Sequence, residues 1–212
     1  MNDNSNDKKT LERGLALLRL PLPELTLADL LRYRNLLLKW NRIHNLTAID
    51  DPERMLVAHL LDSLAILPWV HSGKMLDVGS GGGLPGMALA IVRREQSFTL
   101  LDAAQKKCIF LRQAAIELHL PGVSVQHTRV EDATGAYDQI LSRGFASLDK
   151  FTALTAHLLA PGGTWLAMKG IRPDAEIAAL PPEIEVRDLI RLEVPGLDAE
   201  RHLVILGKAS TI

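Results

Sequence analysis

The sequence predicts an α/β fold, in which helices precede a mostly parallel sheet that an antiparallel hairpin completes. The chain has 212 residues, enough for one well-buried α/β unit and short for two. From residue 74 onward, short apolar segments alternate with helical ones, and such spacing requires parallel strands joined by right-handed crossovers. The last two apolar segments have only a short loop between them, so we expect them to pair antiparallel.

Helical periodicity extends over the first 73 residues. Thr10 is the predicted cap of a first helix, and no disorder is expected beyond the first ten residues. Thr26 is the predicted cap of a second helix. Asp51-Pro52-Glu53 is a strong start for a third, because an acidic cap and a first-turn proline suit a helix N-terminus. We expect residues 1–73 to form a helical extension packed on a core of residues 74–212, as one compact unit.

Seven strands are predicted in the core. They are residues 75–78, 98–101, 123–126, 137–141, 164–168, 185–194 and 202–206. The fifth strand follows the turn Pro161-Gly162-Gly163, and Pro195-Gly196 separates the last two. We therefore expect a doubly wound, Rossmann-like sheet with a C-terminal antiparallel hairpin.

Composition restricts the compartment and the class of partner. The single cysteine, Cys108, excludes an internal disulfide framework and suits a reducing cytoplasm. The polar N-terminus lacks the apolar segment of a signal peptide, and the longest apolar run, residues 64–70, is too short to span a bilayer. We expect no membrane association.

Charge is nearly balanced, with a formal net charge of −1, so a nucleic acid would have to meet a local basic patch. Residues 32–44 form one acid-free window. Its basic residues are Arg32, Arg34, Lys39, Arg42 and His44. A solvated helix face is the simpler interpretation of this window.

The first strand of the core ends in a glycine loop, Asp77–Gly83. Only glycine lets a bound nucleoside approach the backbone closely, and positions 79, 81 and 83 hold glycine. Asp102 follows about twenty residues after the loop, at the end of the second strand, where its carboxylate can accept both ribose hydroxyls. We expect a nucleoside cofactor here; a tight strand-to-helix turn without a ligand is the alternative.

Asp77 favours one class of nucleoside cofactor over another. A dinucleotide places its pyrophosphate at a helix N-terminus, where a carboxylate would repel it. The same carboxylate favours the ammonium and sulfonium groups of S-adenosylmethionine, so we expect a methyl donor and not NAD. After the third strand, Val130-Glu131-Asp132 offers an acid for the adenine amino group, although Glu131 equally fits a surface acid. We predict no metal site.

Several motifs along the chain together resemble a known family. They are Lys39-Trp40-Asn41, Asn45-Leu46-Thr47, His59-x-x-Asp62-Ser63, Asp77–Gly86, Phe98–Asp102, Ser142–Ser147, Met168-Lys169-Gly170 and Glu200–Val204. The chain is similar, on these motifs, to the bacterial guanine-N7 methyltransferases G of small-subunit ribosomal RNA. Gly82 and Gly144 depart from the family pattern, where proline and alanine are common, but neither change removes a polar group.

The resemblance implies a class I methyltransferase that uses S-adenosylmethionine. It implies methylation of guanine N7 in the decoding-region loop of 16S ribosomal RNA, giving 7-methylguanosine, with the small subunit or its precursor as partner. We expect a monomer. Expected cofactor residues, from the loop and from the family together, are Asp77, Gly79, Ser80, Gly81, Gly83, Leu84, Asp102, Val130, Glu131 and Arg143.

The chemistry of guanine N7 agrees with the residues present. This nitrogen carries a lone pair and no proton, so its methylation needs alignment with the donor and no general base. Cys108 lies in an apolar helix and is interpreted as a packed residue, not a nucleophile. The Asn/Asp-Pro-Pro-aromatic sequence typical of exocyclic-amine methylation is replaced by Ser142-Arg143-Gly144-Phe145.

Three cations are the expected substrate-positioning residues. Arg143, at the end of the fourth strand, can bond a carboxylate, a phosphate or guanine O6. Lys169 follows the fifth strand at the same edge and can meet a phosphate, and Arg201 is added on the resemblance alone. His59 is expected to be structural. Asn41, Asn45, Asp62 and Ser63 fit contacts between the helices and the core as well as contacts to RNA or cofactor.

Other functions remain open on the sequence. They are methyl transfer to another RNA, to a protein or to a small molecule, a non-catalytic RNA-binding role, and an NAD-binding oxidoreductase.

Overall fold

The computed structural model describes the backbone of residues 3–209 and the side chains of residues 6–209. Within this range the strands are β1 (Lys74–Val78), β2 (Ser97–Asp102), β3 (Val123–His127), β4 (Tyr137–Arg143), β5 (Leu159–Lys169), β6 (Ile184–Arg191) and β7 (His202–Lys208). They form one sheet in the order β3-β2-β1-β4-β5-β7-β6. Strands β1 to β5 pair in parallel, and β7 pairs antiparallel with both β5 and β6. The predicted Rossmann-like sheet with its C-terminal hairpin is confirmed.

The helices of the described range are α1 (Asp3–Leu17), α2 (Glu24–His44), α3 (Pro52–Met55), α4 (Asp62–Leu64), α5 (Gly86–Val92), α6 (Gln105–Glu117), α7 (Leu148–Thr155) and α8 (Asp174–Ala178). A π-helical segment, Leu56–Leu61, joins α3 to α4, and 3-10 turns cover Leu67–Trp69 and Val130–Asp132. None of the helices within residues 3–209 has the length and apolar character needed to cross a bilayer.

The order of the strands decides where a ligand can bind. The chain runs outward from β1 to β2 and β3, and then returns to place β4 on the other side of β1. The connections therefore diverge at the carboxyl ends of β1 and β4, and such a divergence opens a crevice in doubly wound sheets. The glycine loop follows β1 at this point.

The first helix begins earlier than its sequence pattern indicates, and the cap predicted at Thr10 is wrong. Helix α1 starts at Asp3, so residues 3–10, which the sequence left without a predicted helix, are helical. Met1 and Asn2 lie outside the described residues. Asp7, Leu11 and Leu15 form one buried face at helical spacing. Asp7 belongs to this face because it pairs with buried Arg34 of α2, with 2.5 Å between Oδ2 and Nη2.

Of the other two predicted helix caps, one is wrong and one is confirmed. Thr26 is not a cap, because α2 begins at Glu24 after Pro23 and no side chain bonds its first turn. Asp51 is the predicted cap, and its Oδ1 accepts the Arg54 backbone N–H at 2.7 Å. The π-helical turn after α3 was not predicted.

Two strand boundaries also differ from prediction. Strand β5 begins at Leu159 and includes the predicted turn Pro161-Gly162-Gly163, with an irregular register against β4. Strand β6 ends at Arg191, so the loop to β7 is longer than expected. The Leu192 N–H still bonds the Arg201 carbonyl at 2.8 Å, and both Leu192 and Val194 are buried in the main hydrophobic core.

The hydrophobic core lies on both faces of the sheet. One cluster combines α1, α2, the π-helical segment, α5 and α6 with one face of the strands; its fully buried members include Leu30, Phe98 and Phe110. The second cluster, on the opposite face, packs α7 against the sheet around Phe151 and Trp165. Residues before 74 thus share a core with the sheet.

Candidate cofactor and substrate site

The glycine loop turns tightly between β1 and α5. Gly81 and Gly83 have φ values of 57° and 89°, a region that side chains other than glycine rarely adopt. A Cβ on Gly83 would lie 2.8 Å from Tyr33 Oη and 2.8 Å from Leu111, whereas one on Gly81 would meet only the Gly79 carbonyl at 3.8 Å. The loop is therefore packed on its inner side and open at Gly81, as a backbone cradle for a nucleoside must be.

Asp102 ties the end of β2 to this loop. Its Oδ2 accepts the Gly81 N–H at 2.9 Å, and its Oδ1 accepts the Ala104 N–H at 2.8 Å. Lys107 Nζ lies 3.5 Å from the same carboxylate. Each carboxylate oxygen has a second lone pair. Asp102 can therefore hold the loop in place and also accept hydroxyl groups of a ribose.

Asp77 occupies the start of α5. Its Oδ2 accepts the N–H of Gly86, the first residue of that helix, at 2.9 Å, while Oδ1 is buried without a hydrogen-bond partner among the described residues. Burial raises the pKa of this carboxyl to about 7, although the Gly86 N–H and the Arg143 charge oppose the rise. An unpaired buried oxygen at this place fits a cationic ligand and disfavours a pyrophosphate.

The raised pKa of Asp77 predicts a pH-dependent stability. An unfolded chain ionises this carboxyl near pH 3.8, but the folded chain does so near 7. The folded state therefore loses stability as the pH rises from 4 to 7, and the loss is complete above 7. The native protein should therefore lose unfolding free energy between pH 5 and pH 8, whereas Asp77→Asn, which has no carboxyl to ionise here, should not. We expect the difference between the two proteins to change by about 2–3 kcal/mol over this range, in favour of the variant. Urea unfolding measures this, and parallel pH profiles for the two proteins would contradict it.

Helix α2 supports the loop from the side of the N-terminal helices. The buried Tyr33 hydroxyl donates a hydrogen bond to the Gly82 carbonyl. Leu37, one turn further along α2, would lie 3.0 Å from a Cβ on Gly82, so its side chain packs directly against the loop. No local signal marks Tyr33 in the sequence, and it was missed as a residue that shapes the site.

Replacing Tyr33 by phenylalanine is expected to lower the unfolding free energy by about 1–3 kcal/mol, because the buried Gly82 carbonyl loses its donor. Cofactor affinity should fall with it, since the loop is then less well held. The matched control is Tyr137→Phe, which removes a hydroxyl that only accepts a 3.3 Å bond from Gln126. Equal losses from both substitutions in urea unfolding would contradict a special role for Tyr33.

The remaining expected cofactor residues lie around the same edge. Val130 and Glu131 form a 3-10 turn shortly after β3, which pairs with β2 so that His127 is level with Asp102. Val130 is buried and Glu131 is exposed. Ser80 Oγ donates to the Asp77 carbonyl at 2.8 Å, and Leu84 is buried. The exposed Glu131 side chain therefore fits both interpretations, a cofactor contact and a surface acid.

A separate cleft of about 480 Å³ opens beside the glycine loop, at the ends of β4 and β5. Its lining consists of Ile49, Ala58, His59, Asp62, Arg143, Gly144, Met168, Lys169, Gly170 and Arg201. The structure thus brings the three predicted cations together, although they are distant in sequence.

Each of the three cations is paired with a carboxylate. Arg143 Nη1 lies 2.9 Å from Asp62 Oδ2, and Arg201 Nε lies 2.9 Å from Oδ1 of the same carboxylate. Lys169 Nζ lies 2.7 Å from Glu176 and donates to the Ala146 carbonyl at 2.9 Å. The sequence predicts no role for Glu176 and leaves that of Asp62 open.

Neighbouring polar residues hold the chain between α2 and α3. Asn41 accepts the Thr47 N–H at 2.8 Å and donates to the Ile49 carbonyl at 3.2 Å. Thr47 Oγ1 lies 2.8 Å from His59 Nε2. Burial, and then the Arg143 charge, lowers the pKa of His59 to about 4, so the ring is neutral at physiological pH. Asn41 and His59 thus bond the segment between α2 and α3 and hold it in place.

Packing bears on two further interpretations of the sequence, those of Cys108 and of the basic window on α2. Cys108 Sγ is 3.2 Å from the Asp102 carbonyl, and burial raises the pKa of the thiol, so it is not an activated nucleophile. In the basic window on α2, Arg34 is buried in an ion pair with Asp7 and cannot contact a partner at the surface. Arg32, Lys39 and Arg42 are exposed.

Comparison with known proteins gives close relatives of one kind. A family model described as rRNA small subunit methyltransferase G matches residues 26–204. The Ribosomal RNA small subunit methyltransferase G of Laribacter hongkongensis (strain HLHK9) is 53% identical over 204 residues, which cover 95% of this chain and 99% of that protein. The protein of the same name from Neisseria gonorrhoeae (strain NCCP11945) is 51% identical over 203 residues, covering 95% of this chain and 98% of its own.

Solved structures of more distant proteins share the fold. Magnesium protoporphyrin IX methyltransferase (ChlM) from Synechocystis PCC 6803, solved with bound SAM, matches with a TM-score of 0.59 and 14% sequence identity. The match covers 81% of this chain and 90% of that one.

Proposed function

This chain belongs to the rRNA small subunit methyltransferase G family, and from that premise we propose that it methylates N7 of one guanine in the decoding-region loop of 16S ribosomal RNA. It is a methyltransferase, its substrate is small-subunit ribosomal RNA, and S-adenosylmethionine is the methyl donor. Membership of this family excludes the alternative of an NAD-binding oxidoreductase.

One observation supports N7 as the target: the cofactor crevice adjoins a cationic cleft that lacks an activated nucleophile. S-adenosylmethionine supplies an electrophilic methyl group. Within residues 3–209 the single thiol is buried under Asp102, outside the cleft, and His59 is held as a weak, buried base. A lone pair that carries no proton can attack without either group, so the protein needs only to align base and donor.

We propose the following division of roles. The cofactor is held by Asp77, Gly79, Ser80, Gly81, Gly83, Leu84, Asp102, Val130, Glu131 and Arg143. Asp77 balances the ammonium and sulfonium charge, and Asp102 accepts the ribose hydroxyls. Arg143, Lys169 and Arg201 position the RNA. Because N7 methylation makes the base cationic, these cations are proposed to hold phosphates and not the guanine ring.

The organisation of the chain is part of the proposal. Residues 1–73 act as a helical extension that is packed on a core of residues 74–212. The shared hydrophobic cluster and the bond from Tyr33 to the glycine loop support this division within one compact unit. We also propose that the protein acts as a monomer in the cytoplasm, where small subunits are assembled.

A labelled methyl donor tests the proposed target. Small subunits from a strain that lacks the enzyme are incubated with the protein and tritiated S-adenosylmethionine, and the labelled nucleoside is identified after digestion of the RNA. We expect label in 7-methylguanosine from 16S ribosomal RNA. Label at another nucleoside, or on protein alone, would contradict the proposal.

Lys169→Ala separates RNA positioning from cofactor binding. We expect this variant to bind S-adenosylmethionine as the native protein does, because Lys169 bonds Glu176 and Ala146 and lies outside the glycine loop. Methyl transfer to the small subunit should fall roughly tenfold, the effect of losing one charge-assisted phosphate contact. Calorimetry and transfer rates measure the two quantities. A loss of cofactor affinity as large as the loss of rate would contradict the assigned role.

A further inference from the structure

One buried carboxylate, that of Asp62, joins the two arginines of the cationic cleft. We infer that Asp62 is a positioning residue, which orients Arg143 and Arg201 so that their remaining N–H groups receive an RNA phosphate. The inference rests on the proposed function, because it assumes that RNA enters this cleft. In this role Asp62 acts on the RNA through the two arginines.

The geometry leaves Asp62 little freedom. Only 1% of its surface is exposed, and each of its two oxygens accepts a 2.9 Å hydrogen bond from a different arginine. The three residues come from α4, from the end of β4 and from the residue before β7. A single carboxylate thus fixes two guanidinium groups that belong to separate elements.

The chain around Asp62 is shaped to complete this arrangement. The π-helical turn Leu56–Leu61 lies immediately before it, and such turns commonly mark functional sites. The Ala58 carbonyl of that turn accepts a second bond from Arg143 Nη1, at 3.1 Å. Arg201 Nη1 donates to the Glu200 carbonyl at 2.8 Å. Arg143 is therefore held by two bonds from one nitrogen, and Arg201 by bonds from two of its nitrogens.

Donor groups remain on both arginines. Arg143 makes its bonds through Nη1, so Nε and Nη2 take no part in them; for Arg201 the unused nitrogen is Nη2. Both side chains line the cleft and keep 21% and 25% of their surface exposed. Two guanidinium groups and one carboxylate leave one net positive charge, which suits a single phosphodiester.

Charge and orientation predict opposite effects when Asp62 is changed. Asp62→Asn removes a negative charge beside two arginines, so by charge alone it would strengthen the binding of a polyanion. The asparagine amide, however, offers one acceptor oxygen and an NH₂ group that repels the second guanidinium. If orientation dominates, RNA binding becomes weaker. The sign of the change therefore distinguishes a positioning residue from a mere counter-ion.

The binding experiment uses the full chain with S-adenosylhomocysteine and small subunits from a strain that lacks the enzyme. We expect the Kd for the subunit to rise about tenfold in Asp62→Asn, the effect of one lost charge-assisted bond. An unchanged or lower Kd would overturn the inference. Binding is measured without methyl transfer, so the result does not depend on which nucleoside is methylated.

Transfer kinetics give a second readout. We expect kcat at saturating subunit and cofactor to fall on the order of 10²-fold in Asp62→Asn, because misplaced positioning groups affect the aligned complex. The matched control is Asp7→Asn, which disturbs another buried aspartate–arginine pair, between α1 and α2, whose residues do not line the cleft. This control should lose thermal stability but keep kcat at a temperature where it is folded. Equal kcat values for the two variants would contradict the inference.

Arg201→Lys decides the question if Asp62→Asn does not fold. Lysine keeps the charge but lacks the Nε contact to Asp62 and the planar pair of donors. A fall of tenfold or more in kcat supports the inference, and a native kcat overturns it. Methylation of a nucleoside other than guanine by the native protein would instead contradict the proposed function, so the two failures are distinguishable.

Discussion

Replacing Asp102 by alanine is expected to weaken S-adenosylmethionine binding by about 10²-fold, because two charge-assisted hydrogen bonds are lost at once. One role of this carboxylate is to fix the glycine loop through the Gly81 N–H, and the proposed second role is to accept the ribose hydroxyls. The variant leaves the Gly81 and Ala104 N–H groups without their acceptor. Calorimetric titration with the cofactor measures the loss.

Asp138→Ala is the matched control for this prediction. Asp138 is also an aspartate that accepts a backbone N–H, that of Lys74, at 2.7 Å. It lies at the amino end of β1 and β4, whereas the glycine loop and Asp102 lie at the carboxyl ends of their strands. Cofactor affinity should therefore be unchanged in the control. A Kd for Asp102→Ala within threefold of the native value would contradict the role assigned to this carboxylate.

Asp7→Ala is expected to lower the unfolding free energy by about 3–5 kcal/mol, since it leaves the buried Arg34 charge without its partner. Both side chains are almost completely buried, and Arg34 Nη1 retains only the bond to the Pro52 carbonyl at 3.2 Å. For a chain of this size, the melting temperature should fall by roughly 10 °C. Urea and thermal unfolding measure the two effects.

Glu24→Ala controls for a salt bridge between the same two helices. Glu24 pairs with Lys8 of α1, but both side chains are exposed, so water and salt screen the attraction. We expect little change in stability from this substitution. If Glu24→Ala and Asp7→Ala had similar effects, burial would not be the reason for the importance of Asp7.

Most of the fold could be predicted from the sequence, because its signals are local. Strands of the sheet appear as short apolar segments, and helices as apolar residues at helical spacing, so element types were predicted well. Boundaries failed where a distant partner decided them. Asp7 extends α1 because Arg34 is buried opposite it. The end of β6 was predicted too late because Leu192 and Val194, which follow the strand, are apolar and buried like strand residues.

Residues of the candidate site could likewise be predicted where the signal is local, and were missed where the contact is distant in sequence. The glycine loop and Asp102 could be predicted as a cofactor site because strand ends, glycine positions and spacing are visible in one short segment. Tyr33 was missed, since its contact with Gly82 joins residues that are 49 positions apart. Glu176 was missed as the partner of Lys169 because nothing in its own segment distinguishes it from a surface acid.

By itself, the sequence determined the parallel sheet with its hairpin and the position of the glycine loop, because backbone constraints and periodicity act over a few neighbouring residues; the family was identified from the resemblance of its motifs. Only the tertiary structure decided how the charges are paired. Asp62 is 81 positions from Arg143 and 139 from Arg201, yet burial brings all three together. A buried charge must find its partner wherever the fold places one, and sequence separation carries no record of that choice.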